Sequence, residues 1–156
     1  MVPTSKDFII FTLESYIIGV EVNHVDEVAL PTAVKPLPIS SSALLGLFRI
    51  RQTACPLIDI TKLLELRPSQ AINEDEKRIL IVNSRNQTFG IEVEHILDII
   101  TTSEEHVLNP SEVTDTPPFI KHTIITQNKQ TVHILDIEAL INTVINQTKE
   151  LFILQS

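Results

Sequence analysis

Apolar positions in this chain fall into short runs with a period near two, broken by polar pairs. Residues 8–13 (Phe-Ile-Ile-Phe-Thr-Leu) are rich in aromatic and β-branched side chains, as strands are. Glu14-Ser15 then reads as a tight turn. Residues 16–22 form the return strand, alternating around Val20, Glu21 and Val22 with Glu21 outward. The pattern recurs as a strand over 78–83, a polar turn over 84–87 and a strand over 88–93, so two hairpins are predicted. Further strands are predicted at 28–30, 45–50, 54–58, 98–101, 120–126 and 131–135. Their close, regular spacing favours a small barrel or sandwich over βαβ units. Pro31, Pro36 and Pro38 put 31–38 at an edge or in a loop.

Two helices are predicted, each after an aspartate. Asp59 and Asp136 both follow an apolar strand and can accept hydrogen bonds from the free N–H groups of a first helical turn. The predicted helices cover 60–66 and, at the C-terminus, about 137–150. In the second, Ile137, Leu140, Ile141, Val144 and Ile145 share one face.

These elements repeat. Residues 19–28 read GVEVNHVDEV and residues 90–99 read GIEVEHILDI, with Gly, Glu, Val and His identical at an offset of 90 − 19 = 71. Residues 56–64 (PLIDITKLL) and 133–141 (HILDIEALI) match at 136 − 59 = 77. Two matches in the same order imply two homologous halves, with six extra residues in the second, within 102–117 or at 127–130. The predicted organisation is a single unit over 1–156, with subdomains at about 7–66 and 77–135. The polar stretch 67–76 reads as a surface linker.

Composition narrows the function classes. The chain has 156 residues, which suits one domain or two small packed halves. Lys and Arg number 12 against 20 Asp and Glu, so the net charge is −8 and the chain is a poor nucleic-acid binder. Residues 7–66 carry 4 − 7 = −3 and residues 74–150 carry 6 − 13 = −7, so an acidic contact face is expected in the second half. The start has no signal-peptide pattern and no apolar run approaches the ~18 residues of a membrane helix. The expectation is a cytoplasmic protein without direct membrane insertion. Only 3 glycines are present, so Asn, Ser and Gln are expected at turn positions of positive φ.

Catalytic signals are sparse. His24, His95, His106, His122 and His133 have no metal-ligand spacing, and the one cysteine, Cys55, lies in an apolar strand that should raise its pKa. His24 and His95 are repeat-equivalent and are expected to serve the same local turn in each half. No nucleophile motif, P-loop or dinucleotide fingerprint is present, so no catalytic residue, metal or cofactor is assigned. Two packed barrels leave a groove that could take a partner segment or close over a small ligand. Val22, Val25 and Val28 follow the first hairpin; all are core, or Val25 is exposed in such a groove.

The chain resembles the CheW-like adaptor family of bacterial chemosensory arrays over about 7–145. Four stretches carry the resemblance: the first hairpin with 16–28, the stretch 45–60, Phe89-Gly90-Ile91-Glu92-Val93, and Pro118-Phe119-Ile120-Lys121 leading to residues 134–137. The second stretch is similar to the family pattern G-x-x-N-L-R-G-x-x-x-P-x-x-D-L and is the most specific. The resemblance implies a mainly β fold of two five-stranded, SH3-like β-barrels packed together, with short helices and a C-terminal helix. It implies no enzymatic activity and no cofactor. It also implies an adaptor that couples the cytoplasmic tip of a chemoreceptor to the regulatory domain of a CheA-type histidine kinase at membrane-associated arrays. Carried over by position, the partner-binding residues are Val25, Glu27, Gly46 and Arg51, with Glu27 and Arg51 expected to pair. The sequence departs from the pattern at Arg49, where Asn is usual, and at Gln52 and His122, where glycine is usual. Gln52 is therefore expected to strain or reshape its turn. A divergent family member serving type IV pilus motility, and a small-ligand regulatory module, are the alternative readings.

Overall fold

The structure is a computed structural model that describes residues 5–31, 33–35, 43–66, 74–103, 107–108, 116–126 and 128–155. Strands β1 (Ser5–Leu13) and β2 (Tyr16–Glu21) form the opening hairpin, followed by β3 (Val25–Ala29), β4 (Leu44–Ile50), β5 (Thr53–Ile58) and the short helix α1 (Ile60–Leu63). Then come the hairpin β6 (Arg78–Ser84) and β7 (Gln87–Val93), β8 (His95–Ser103) and the two-residue β9 (Val107–Leu108). Strands β10 (Ile120–Ile125) and β11 (Thr131–Leu135) and helix α2 (Ile137–Gln155) close the chain. Both predicted hairpins, both helices and every predicted strand are present, but α1 ends at Leu63 instead of 66 and the strand expected at 28–30 is β3, which begins at Val25 and ends at Ala29. Helix α2 runs further than the predicted 150, and β8 is longer at both ends than 98–101.

The strands form two sheets, ordered β8-β1-β2-β11-β10-β9 and β3-β6-β7-β5-β4. The first is a five-strand set extended by β9. Under the sequence repeat, β1-β2 corresponds to β6-β7, β3 to β8, and β4-β5 to β10-β11. With that substitution the two orders coincide, each including one parallel junction, β11 with β2 and β5 with β7. Each sheet therefore takes its hairpin from the opposite half of the chain. The predicted boundaries at 7–66 and 77–135 do not coincide with the sheets. An internal sequence match reports equivalence of segments, whereas strand pairing is chosen by three-dimensional packing.

The exchange explains why consecutive residues of β1 and β6 are apolar. One cluster, Phe8, Ile10, Ile124, Val132 and Ile134, draws only on the first sheet and fills its barrel. A second, Phe48, Cys55, Leu57, Ile79 and Ile81, draws only on the other sheet. A third joins both sheets and both helices, including Ile9, Phe11, Leu13, Leu80, Val82, Ile91, Leu140, Ile141 and Val144. Alternate residues of β1 and β6 thus enter a barrel core and the shared core, so both faces are buried. Each large apolar side chain so buried contributes about 1.5–3 kcal/mol. The seam between the barrels, expected as a groove for a partner or ligand, is packed with the protein's own side chains.

The helix caps follow prediction. The Asp59 carboxylate accepts from the Lys62 amide at 3.3 Å, and that of Asp136 from the Ala139 amide at 3.0 Å. The repeat extends to the backbone: the amides of Asp59 and Asp136 donate to Ala43 and Phe119 carbonyls, each at 2.8 Å. Turn chemistry departs from prediction. Besides Asn86, positive φ is taken by Glu14, Arg51, Glu65, Arg85, Phe119 and Lys129. Each such left-handed residue costs roughly 1–2 kcal/mol, which the surrounding structure must outweigh. Pro36 and Pro38 lie outside the described residues.

Candidate partner-binding face

The face begins with β3, an edge strand paired to β6. A bulge between Val25 and Glu27 interrupts the register and turns Asp26 outward, where it accepts from the Asn83 side-chain amide at 2.5 Å. The sheet's opposite edge is β4, whose hairpin to β5 closes through Ile50 opposite Thr53. Arg51 takes φ 57° in that turn, while Gln52 stays out of the left-handed region. The strain expected at Gln52 falls on Arg51, the pattern of a turn bent at its first central residue.

This bend sends Arg51 across to β3. Its guanidinium donates to the Glu27 carboxylate at 2.8 Å, so the expected pair forms and ties one free edge of the sheet to the other. The Arg51 side chain is 81% exposed and that of Glu27 34%. A pair this open to water is worth ~0–1 kcal/mol. Beneath it is a hollow of about 240 Å³ lined by Ile50, Thr53, Cys55, Ile81 and Thr88. Cys55 at its base is 2% exposed, and burial pushes its thiol up to about 11. That makes it an unreactive core residue, as its sequence context suggests.

The other two expected site residues lie apart from this pair. Val25 is half-buried and packs against the shared core, as does Val22; the exposed valine is Val28, at 45%. Gly46 sits near the far end of β4, roughly 16 Å from Arg51 along an extended strand. Its φ is 152°, and a Cβ there would lie 2.4 Å from the Lys35 carbonyl oxygen. This close approach lets residue 35 bridge to Leu47 with backbone bonds of 2.8 and 2.9 Å. Gly46 therefore has a structural role sufficient to account for glycine at that position.

The histidine equivalence in sequence is not an equivalence of contacts. His24 Nδ1 meets the Asn83 carbonyl at 3.0 Å, whereas His95 faces Glu76 at 3.4 Å. His133 is buried, with Nδ1 3.1 Å from the Thr123 hydroxyl. His122 Nδ1 is buried without a hydrogen-bond partner. Its desolvation, then Lys121 and Lys6, lower its pKa from 6.5. Among the described residues no group of three or more His, Cys, Asp or Glu is placed to hold a metal ion. Nor is any helix among them long and apolar enough to cross a membrane. His106 lies outside the described residues.

Sequence reasoning did not isolate Lys35 or Arg49. Both are exposed on either side of a second hollow, about 540 Å³, with Leu47, Phe48 and Ala54 at its base. The one signal was Arg49 standing where the family pattern has Asn.

The model of the CheW-like domain matches residues 7–144. The chain belongs to the CheW-like domain family. A chemotaxis protein CheW of Treponema pallidum is 26% identical over 136 residues, covering 85% of this chain and 80% of that protein. A probable chemotaxis protein CheW of Rhizobium etli is 23% identical over 136 residues, covering 86% of each. The crystal structure of a CheW scaffolding protein from Thermoanaerobacter tengcongensis superposes with a TM-score of 0.76 at 22% identity, covering 86% of each chain. That likeness supports the CheW-like fold, mainly β with two SH3-like subdomains and a C-terminal helix.

Proposed function

We propose that this CheW-like protein is a non-enzymatic adaptor in a chemosensory array, in the cytoplasm, coupling a receptor's cytoplasmic tip to the regulatory domain of a CheA-type histidine kinase. The observation that carries the reading is the family match across residues 7–144. The rim made by Glu27 and Arg51 is the receptor-facing element. Its ion pair is too exposed to stabilise the fold appreciably, yet Arg51 holds a costly backbone conformation to make it. Val25 precedes Glu27 on β3 and anchors that strand to the shared core, and Gly46 shapes β4, whose hairpin carries Arg51. The kinase packs a barrel of its own against one barrel end.

The test uses the receptor cytoplasmic fragment and the kinase regulatory domain from the same host. Arg51→Glu should abolish receptor pull-down with an unchanged circular dichroism spectrum. The charge-swapped pair Glu27→Arg with Arg51→Glu should recover any lost thermal stability without recovering receptor binding. Retained binding in Arg51→Glu overturns the assignment of the rim. Failure of the unaltered protein to bind either fragment overturns the adaptor reading.

A further inference from the structure

The basic residues of this acidic chain are unevenly placed. Residues 7–66 contain Lys35, Arg49, Arg51 and Lys62, and the first three lie along one edge of the five-stranded sheet. Arg51 is engaged by Glu27. Lys35 and Arg49 are exposed, and among the described residues neither has a carboxylate partner. The neighbouring stretch 36–42, Pro-Leu-Pro-Ile-Ser-Ser-Ser, contains no acidic residue to neutralise them. Among the other described cations, Lys6 and Lys121 face Glu21, Lys77 faces Glu74 and Glu92, Arg85 faces Glu138 and Arg78 donates to backbone carbonyls; Lys62 and Lys129 also have no carboxylate partner among the described residues, but they lie away from this edge, on α1 and in the β10–β11 turn.

Between the two free cations lies the 540 Å³ hollow, based on Leu47, Phe48 and Ala54. Its backbone is also open. Leu47 stands opposite Pro56, which has no N–H, and sends its own amide and carbonyl outward to Lys35. Antiparallel pairing alternates, so Arg49, two residues on, directs its amide and carbonyl to the same outer edge. Beyond the Lys35–Leu47 bridge, no backbone group among the described residues hydrogen-bonds them.

We propose that this edge is a docking site for an acidic, partly apolar peptide segment of a protein partner. Its carboxylates pair with Lys35 and Arg49, an apolar side chain rests on Leu47 and Ala54, and the open backbone of Arg49 hydrogen-bonds the incoming chain. The proposal rests on the adaptor reading and deepens it. The chain carries a net charge of −8 and repels acidic partners at a distance, so a local pair of unneutralised cations determines where such a partner can land. Arg49, standing in place of the usual Asn, makes the site a property of this chain.

The measurement is the Kd of the full-length protein for each of two fluorescently labelled probes, the host's receptor cytoplasmic fragment and its kinase regulatory domain, across a salt series. The double variant Lys35→Glu with Arg49→Glu should weaken one probe by about tenfold or more and flatten its salt dependence. The control Lys62→Glu, a reversal of equal charge per site elsewhere, should leave both affinities unchanged. Arg49→Asn alone should give part of the loss while preserving the fold. Wild-type binding that is indifferent to the double variant overturns this site while leaving the adaptor reading standing. Wild-type protein that binds neither probe overturns both. A concentration-dependent dimer that disappears in the double variant also overturns it, in favour of a second copy of the chain as the occupant.

Discussion

Individual side chains in this protein do what their immediate surroundings allow. The Cys55 thiol is 2% exposed and lies 3.7 Å from the carbonyls of Pro56 and Thr88. A disulfide-exchange reagent at neutral pH should label it slowly in the native protein and fully after denaturation. His122 gives a pH dependence of known sign. Its folded pKa is depressed below 6.5, chiefly by burial, so the unfolded chain takes up the proton first. Its contribution to stability is complete above the ordinary imidazole pKa and is lost as pH falls through the depressed folded value. His122→Gln should remove that part of the acid-side loss, read as a smaller drop in urea midpoint between about pH 7.5 and pH 5.5. Gly90 is another local constraint: a Cβ there would lie 2.4 Å from the Phe48 ring, inside the barrel core. Gly90→Ala is expected to cost about 1–3 kcal/mol through overpacking, measured by denaturant unfolding.

Helix starts and the β4–β5 turn show how elements are set by a few positions. The Asp136 carboxylate caps α2, and Asp136→Ala should cost about 0.5–2 kcal/mol without changing the strand content. Asp59 caps a single turn, and its loss should be milder because α1 spans only Ile60–Leu63. At the β4–β5 turn, Arg51→Gly separates conformation from charge. Glycine relieves the positive φ, so thermal stability should hold or rise slightly, whereas the Glu27 contact is lost. A receptor affinity that survives this change would assign the rim's importance to turn shape and not to the guanidinium.

At the scale of the whole molecule, the exchanged hairpins make the two barrels one cooperative unit. Each barrel contributes to the shared core, and α2 seals it with Leu140, Ile141 and Val144. Truncation there should be felt by both barrels: Leu140→Ala is expected to cost about 2–5 kcal/mol and to lower a single calorimetric transition. Two resolved transitions would contradict the shared core. The same packing fills the seam with the protein's own side chains, while Glu27, Arg51, Lys35 and Arg49 remain exposed or half-buried at the edges of the five-stranded sheet.

Local chemistry determined much of this before any tertiary structure was known. Period-two runs placed the hairpins, aspartates after apolar strands placed the helix starts, and repeated residues disclosed the duplication. The pairing of Glu27 with Arg51, 24 positions apart, was legible only through the family resemblance that singled out both residues. Only the tertiary structure decided which hairpin joins which sheet, since β1-β2 and β6-β7 are near-equivalent in sequence and either could complete either barrel. It also decided that Val25 faces the core while Val28 is exposed, that Arg51 and not Gln52 takes the left-handed backbone, and that Lys35 stands beside Arg49. Apart from the Arg51 backbone, which the closing geometry of its hairpin selects, each of these depends on pairing between separate segments of the chain, and that pairing is selected by the packing of the whole core.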